Sequence, residues 1–349
     1  MATNRSPYFS ILIPSYNRPH FITACIDSII NSDYQDYEII ISDDNSPKVE
    51  EIQANIKPYL NDNIHFFRQK DNLREPGNKN FLVSKAIGQC NIILGDDDLL
   101  LPNALSKIKK HIDKYPGHDL YTFGYNVIDE KDKFIFARQS PNQLTINSDN
   151  QRIRNKFFTS SIFPFWLYHP SIFCCKNGIE KNIGYNTDVG IGEDIIFMFD
   201  LINSGYSIST IPDVLFSWRK IQDINSNSQI NQSADEWSNI YTRVKIFNIA
   251  KKEYNINQNI KKIIDSQKFV KTFLYDAILR KKDLNITKLV EAGLKNDNLN
   301  YIKNNYKNKK QYWPYVIRAL DFISIFGLMG FIEMCRVLSQ RIKYRFMHA

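Results

Sequence analysis

Between residue 8 and about residue 125, short β-branched apolar runs alternate with longer stretches of helical period. That alternation is the pattern of an α/β sheet whose strands are mostly parallel. The predicted strands are Phe9–Pro14, Glu38–Ser42, Ile64–Arg68, Asn91–Leu94 and Leu120–Tyr125. Between the first two, Phe21, Ile22, Cys25, Ile26, Ile29 and Ile30 recur at helical spacing and predict a helix with one face on the sheet. Pro102 opens a second helix that runs to about Tyr115, where Pro116-Gly117 closes it.

Residues 126–160 read as irregular and polar, and apolar and aromatic residues return over Phe163–Cys175. A helix from about Asp194 to Asn203 is stopped by Gly205 and followed by two short strands, Ser207–Ile211 and Val214–Trp218. Beyond roughly Ser233 glycine and proline become scarce and lysine-rich helical patterns take over. The expected organisation is therefore an α/β domain over residues 1–230 and a mainly helical, basic region over 231–349.

The chain has 349 residues, 43% of them hydrophobic and 13% aromatic, which is enough for a packed core and excludes a disordered chain. No apolar run approaches the ~18–20 residues of a membrane span, and Met1 to Pro7 has no apolar leader, so a cytoplasmic protein is expected. Cys25, Cys90, Cys174, Cys175 and Cys335 are scattered and odd in number, without the paired spacing of a zinc site or a disulfide framework, and are expected in the core. The net charge of +8 is unevenly placed. Residues 1–229 hold 23 Lys and Arg against 27 Asp and Glu, whereas residues 230–349 hold 22 against 10. A basic final third on a slightly acidic body suits contact with a polyanion or an anionic membrane surface, or else a solvated basic helical face.

Ligands of a parallel α/β sheet bind outside the carboxyl ends of its strands. Polar clusters stand at those places: Pro14-Ser15-Tyr16-Asn17-Arg18, Ser42-Asp43-Asp44-Asn45-Ser46 and Gly95-Asp96-Asp97-Asp98, with Gly192-Glu193-Asp194 opening a later helix. Three consecutive carboxylates repel one another unless a hard cation such as Mg²⁺ or Mn²⁺ relieves them, or unless they form a solvated turn that caps the next helix.

Taken in order, Ile11–Pro19, Ser42–Ser46, the Asn72, Gly77 and Asn80 segment, Gly95–Asp98 and Gly192–Asp194 resemble the family 2 inverting glycosyltransferases of the GT-A fold, over about residues 8–220. The resemblance implies a Rossmann-like catalytic domain that moves a sugar from a nucleotide-diphospho-sugar donor to a hydroxyl of a glycan or polyprenyl-linked acceptor, as in surface polysaccharide biosynthesis. It implies that Pro14, Ser15, Asn17 and Asn80 line the donor, and that Asp43 or Asp44 accepts from the base or ribose. Asp96 takes the ribose side, Asp97 holds Mn²⁺ or Mg²⁺ with Asp98 beside it, and Arg219 of Trp218-Arg219 faces the leaving diphosphate. Asp194 is implied as the general base, with Glu193 holding the acceptor or acting as the base itself. Gly95 replaces the first aspartate of the family's metal element, and Ile221 stands where a histidine is often found, two departures that leave the metal contacts open. Trp166 and His169, in the run Phe165–Pro170, are candidates for an acceptor platform or for core packing.

Phe322–Ile332 is an uncharged stretch of eleven residues. As a helix it reaches only ~16 Å against a ~30 Å hydrocarbon core, so it cannot span. With Lys303, Lys307, Lys309, Lys310, Arg341, Lys343 and Arg345 around it, it suits a peripheral position on the inner face of the cytoplasmic membrane or a helix packed on the catalytic domain. The competing classes are a nucleotidyltransferase, which lacks its glycine- and base-rich triphosphate loop here, and a catalytically inactive GT-A-like binding partner. A nucleic-acid partner is not expected, because no recognised motif accompanies the basic charge.

Overall fold

The computed structural model describes residues 6–140, 145–146, 172–189 and 192–221, with residues 246, 248 and 249 besides. The chain divides into two compact units, one of Met1–Arg154 with Trp166–Ser233 and one of Asn155–Phe165 with Ala234–Ala349. The architecture below is that of the first. Trp166, His169, Cys335 and the uncharged stretch at 322–332 lie outside the described residues.

Ten strands form one mixed sheet: β1 Phe9–Ser15, β2 Tyr37–Asp43, β3 Ile64–Arg68, β4 Cys90–Ile93, β5 Leu99–Leu100, β6 Leu120–Ile128, β7 Phe134–Arg138, β8 Thr145–Ile146, β9 Cys174–Lys176 and β10 Ile208–Arg219. Their order is β3-β2-β1-β4-β9-β6-β10-β5, with β7 beside β6 and β8 beside β10. The half from β3 to β4 is parallel throughout. Its central strands, Phe-Ser-Ile-Leu-Ile-Pro-Ser and Tyr-Glu-Ile-Ile-Ile-Ser-Asp, are apolar on both faces because helices cover both. Strand β9 runs antiparallel to both β4 and β6, and β10 is parallel to β6. The carboxyl ends of β1, β2, β4, β6 and β10 therefore share one edge.

Helix α1 (Ile22–Ile30) buries Ile22, Cys25, Ile26 and Ile29, and α4 (Ala104–Lys114) buries Ala104, Leu105, Ile108 and Ile112, in each case one stripe against the sheet. Helices α2 (Val49–Ile56), α3 (Arg74–Lys85) and α5 (Asn177–Ile183) were not legible as periods. Helix α6 (Glu193–Asn203), expected from about Asp194, is buried on nearly every face. Each fully buried Ile, Leu or Phe adds roughly 1.5–3 kcal/mol to the core. Cys25, Cys90, Cys174 and Cys175 are free thiols in that core.

Two expectations are corrected. Residues 126–160 are not irregular at their start: β6 continues to Ile128 and turns into β7, pairing Tyr125 with Arg138 and Val127 with Phe136. Polar Asp129–Lys133 is only the turn between them, where Asp129 Oδ1 accepts from the Lys131 and Lys133 amides. The two short strands at 207–218 are one strand, β10, whose pairing with β6 shifts register between Ile211 and Val214 and again before Phe216. Those bulges carry Pro212 and Asp213 through the sheet edge without ending the strand. No helix among the described residues is long and apolar enough to cross a membrane.

Candidate active site

The polar clusters meet along the shared carboxyl edge. Ser15 and Asp43 are register partners at the ends of β1 and β2. Beyond β4 the chain makes a tight turn, with the Asp98 amide donating to Gly95 O at 3.0 Å. Ser15 Oγ donates to Asp96 Oδ2 at 2.7 Å, and the Arg18 guanidinium reaches both Asp96 (2.7 Å) and Asp97 (2.6 Å). Burial pushes the Asp96 carboxyl up to about 7, with Arg18 pulling against it and Asp97 reinforcing it. Burial and then Asp97 likewise raise Asp98. Burial opposes the charge on Arg18, yet Asp96 and Asp97 together hold its pKa above the ordinary value.

The second cluster is built by left-handed asparagines. Asn17 (φ 57°) and Asn45 (φ 60°) take a conformation that asparagine tolerates better than bulkier residues. They bring the two loops together, so that the Asn17 amide donates to Ser46 Oγ at 2.7 Å and the Ser46 amide to Asp43 Oδ2 at 3.0 Å. Asp43 Oδ1 and Asn17 Oδ1 are buried acceptors without a partner. Such acceptors cost stability unless a ligand donor meets them. Asp44 is committed differently: its Oδ1 accepts from the Leu73 amide at 2.7 Å, and burial pushes it up to about 6. Pro14 lies half-buried at the end of β1.

The Trp218-Arg219 element closes the far side. The Arg219 amide donates to Asp98 Oδ1 (2.9 Å), its Nε to Asp97 O (2.7 Å) and its Nη1 to Asp129 O (3.1 Å), while Nη1 also pairs with Asp132 (2.6 Å). The guanidinium lies over the Phe21 ring, 4.8 Å from its centroid. Arg219 thus shapes the aspartate turn through contacts that are already made.

Glu193 and Asp194 form the first turn of α6, where acids complement the helix dipole, entered through Gly192 at φ 95°. Glu193 accepts from Lys79 Nζ at 2.6 Å, and Lys79 also pairs with Glu75 at 2.7 Å. Arg18 in turn is in electrostatic reach of Glu75. A continuous series of charges, Asp97, Arg18, Glu75, Lys79 and Glu193, therefore links the aspartate turn to the acid pair. Asn80 is spent in a reciprocal tie: its Nδ2 donates to Tyr185 O (2.8 Å) and its Oδ1 accepts from the Tyr185 amide (2.7 Å).

For a divalent cation the fit is partial. A β-carbon at Gly95 would lie 2.9 Å from Asp98 Oδ2 and 3.0 Å from Asp97 Oδ1. Two carboxylate oxygens converge on the space left by the missing side chain, and an aspartate there would collide with them. Both Asp96 and Asp97 carry Arg18, and among the described residues no three acidic, histidine or cysteine side chains converge as a complete cation cage. Asp97 and Asp98 are the carboxylates that would hold such a cation, with phosphate oxygens and water completing its shell, the usual manner for Mg²⁺.

Arg18, Glu75, Lys79, Tyr185 and Glu180 were not among the sequence candidates for site roles. Lys79 follows Glu75 by four residues on a helix, which reads as an exposed pair, whereas its side chain is 2% exposed. Its place between Asn78 and Asn80, in a segment already singled out, was the available signal.

The family model described as Glycosyl transferase family 2 matches residues 10–175. The GalNAc(5)-diNAcBac-PP-undecaprenol beta-1,3-glucosyltransferase of Campylobacter jejuni is 37% identical over 190 residues, which cover 52% of this chain and 56% of that relative. The chain thus aligns with little more than half of that protein's length. S. aureus TarS in complex with UDP-GlcNAc superposes with a TM-score of 0.55 at 14% identity, over 93% of this chain and 88% of that one. A mannosyltransferase from Pyrobaculum calidifontis, in complex with GDP-Man and Mn²⁺, superposes with a TM-score of 0.52 at 12% identity, over 99% of this chain and 89% of that one. At these identities the superpositions speak for the fold. Over residues 10–175 the chain matches the glycosyl transferase family 2 model, and the sheet that carries its clustered aspartates has the GT-A fold.

Proposed function

We propose that the protein is an inverting glycosyltransferase that moves a sugar from a nucleotide-diphospho-sugar to a hydroxyl of a glycan or lipid-linked acceptor in surface polysaccharide biosynthesis. The observation that carries this reading is the pair of orphaned buried acceptors, Asp43 Oδ1 and Asn17 Oδ1, on the sheet edge that also carries the Asp96–Asp98 turn. Base imides and ribose hydroxyls are donors, so a nucleoside supplies the partners that these acceptors lack. The reading is supported by the names of the relatives, one acting on an undecaprenol-linked glycan and two solved with nucleotide sugars or Mn²⁺.

In this reading Asp43, Asn17 and Ser15 hold the nucleoside and Asp96 the ribose. A divalent cation on Asp97 and Asp98, Mn²⁺ or Mg²⁺, would neutralise the diphosphate as it leaves. Arg219 fixes the backbone of that aspartate turn. Asp194 takes the proton of the acceptor hydroxyl as its oxygen attacks the anomeric carbon from the face opposite the diphosphate. The new bond is the glycosidic C–O bond, and the electron pair of the breaking bond departs on the diphosphate. Residues 231–349 supply a basic surface for peripheral contact with an anionic membrane, where a polyprenyl-linked acceptor is anchored.

The test is nucleotide release from a panel of UDP-glucose, UDP-N-acetylglucosamine and GDP-mannose, with Mn²⁺ or EDTA, using wild type, Asp97→Asn and Asp194→Asn. Turnover of one donor, reduced at least about 100-fold in both variants, is the expected result. Tight nucleotide binding without turnover would favour an inactive binding partner instead.

A further inference from the structure

We infer that Lys79 is the positioning residue of the acid pair: its buried ammonium fixes Glu193 as a counter-carboxylate and leaves proton abstraction to Asp194. The inference rests on the transferase reading above and adds a division of labour that this reading leaves open.

The geometry is unusual for a lysine. Its side chain is 2% exposed and its Nζ pairs with Glu193, itself 3% exposed, from 114 positions away in the chain. The second partner, Glu75, is about half exposed. The ammonium also lies over the Tyr185 ring, 5.5 Å from its centroid. A buried ion pair is a poor device for stability alone, since apolar residues of similar volume do as well or better, and one placed beside a candidate base is better explained by the charge it supplies.

Among the described residues, charged groups reach the pair from several elements. Helix α3 brings Glu75 and Lys79, α6 brings Glu193 and Asp194, the segment after α5 brings Tyr185 with Glu180 beneath it, and the loop after β1 brings Arg18 within reach of Glu75. Three acids thus crowd one ammonium. Burial and the neighbouring acids push Glu193 up to about 8 even against the pull of Lys79. Lys79 is itself held above its ordinary value: burial opposes its charge, and Glu193, Glu75 and Asp194 outweigh burial. The acids titrate as a group, and the ammonium lowers the proton affinity of that group. Without it, the group holds its proton to a higher pH still.

Tyr185 keeps this arrangement in register. Its ring stacks on Phe197 of α6 at 4.8 Å, its hydroxyl donates to Glu180 at 2.6 Å, and its backbone is tied to Asn80, next in sequence to Lys79. The ammonium and the acid pair are therefore held by neighbouring anchors.

The experiment is the pH dependence of nucleotide release, from about pH 5.5 to 9, at saturating concentration of the donor that the panel identifies. For Lys79→Met the acid limb moves up by about one unit or more and the rate at pH 7 falls about 10- to 100-fold, with the donor KM within about threefold. Lys79→Arg keeps the limb near wild type. The double variant Lys79→Met/Glu193→Gln removes one charge of each sign and recovers at least about tenfold over Lys79→Met. Glu193→Gln retains turnover where Asp194→Asn does not. An equal loss at every pH without movement of the limb, no recovery in the double variant, or a Glu193→Gln as inactive as Asp194→Asn overturns the inference while wild-type turnover leaves the transferase reading intact. Should Lys79→Met not fold, the comparison of Glu193→Gln with Asp194→Asn decides the division of labour, and an inactive Glu193→Gln overturns it. A wild type that turns over no donor overturns the functional reading, and this inference with it.

Discussion

Asp43→Asn separates ligand binding from stability at a single atom. In the wild type one carboxylate oxygen accepts from the Ser46 amide, and the other is buried with no partner. Asparagine keeps the first acceptor and puts an NH₂ where the orphan stands. An unmatched buried polar group costs about 1–3 kcal/mol whether it accepts or donates, so the exchange changes stability by less than about 1 kcal/mol, or roughly 2–4 °C in Tm for a unit of this size. For a nucleotide the effect is larger. A donor that met a carboxylate now meets another donor, and the lost charged hydrogen bond weakens binding by about 1.5–3 kcal/mol, which is about a 10- to 150-fold rise in Kd. Calorimetric titration with the nucleotide that wild type binds most tightly, alongside thermal melts without ligand, measures both. A variant that binds within about threefold of wild type while melting lower would refute the reasoning, because Asp43 would then be a structural acceptor.

Three further outcomes follow from the geometry. Gly88 lies at the opposite edge, where an added β-carbon would stand 2.7 Å from the Ser10 amide nitrogen, so Gly88→Ala costs about 1–3 kcal/mol in urea denaturation and leaves nucleotide affinity unchanged. Asp44 has a folded-state pKa of about 6, above its ordinary value, so the folded state holds the extra proton and stability falls as the pH rises from about 4 to 6; urea midpoints at both ends of that window lose on the order of 1–2 kcal/mol of this difference in Asp44→Asn, solvent screening allowed for. Arg18→Gln removes the guanidinium that occupies Asp96 and Asp97; Mn²⁺ titrated without nucleotide and followed by electron paramagnetic resonance then binds at least about tenfold tighter than in wild type, and equal affinities would show that Arg18 does not compete for these carboxylates.

Much of the parallel half of the sheet was legible because its strands are buried on both faces and read as unbroken apolar runs. Strand β7 was not, since Phe134, Phe136 and Arg138 alternate with less regular polarity at a half-covered edge. The helix α3 escaped because Pro76 and Gly77 interrupt its pattern and Asn78, Lys79 and Asn80 make polar contacts, so it carries little apolar stripe. In the site, the acids were visible as clusters after strands, whereas their counter-charges were not. Arg18 and Lys79 look like ordinary surface residues until the fold brings distant carboxylates to them. Arg219, expected to face the diphosphate, has side-chain contacts with Asp97 O, Asp129 O and Asp132.

Three successive residues of α3 reach in different directions: Asn78 donates to Ser42 O at the end of β2, Lys79 grips Glu193, and Asn80 holds Tyr185. One stiff rod thus works as a caliper, its jaws set on the end of β2 and on the acid pair. A one-residue insertion upstream of Asn78 within the rod would turn all three by about 100° and disengage both jaws at once, whereas loops hung elsewhere are at liberty to diverge without altering that gap.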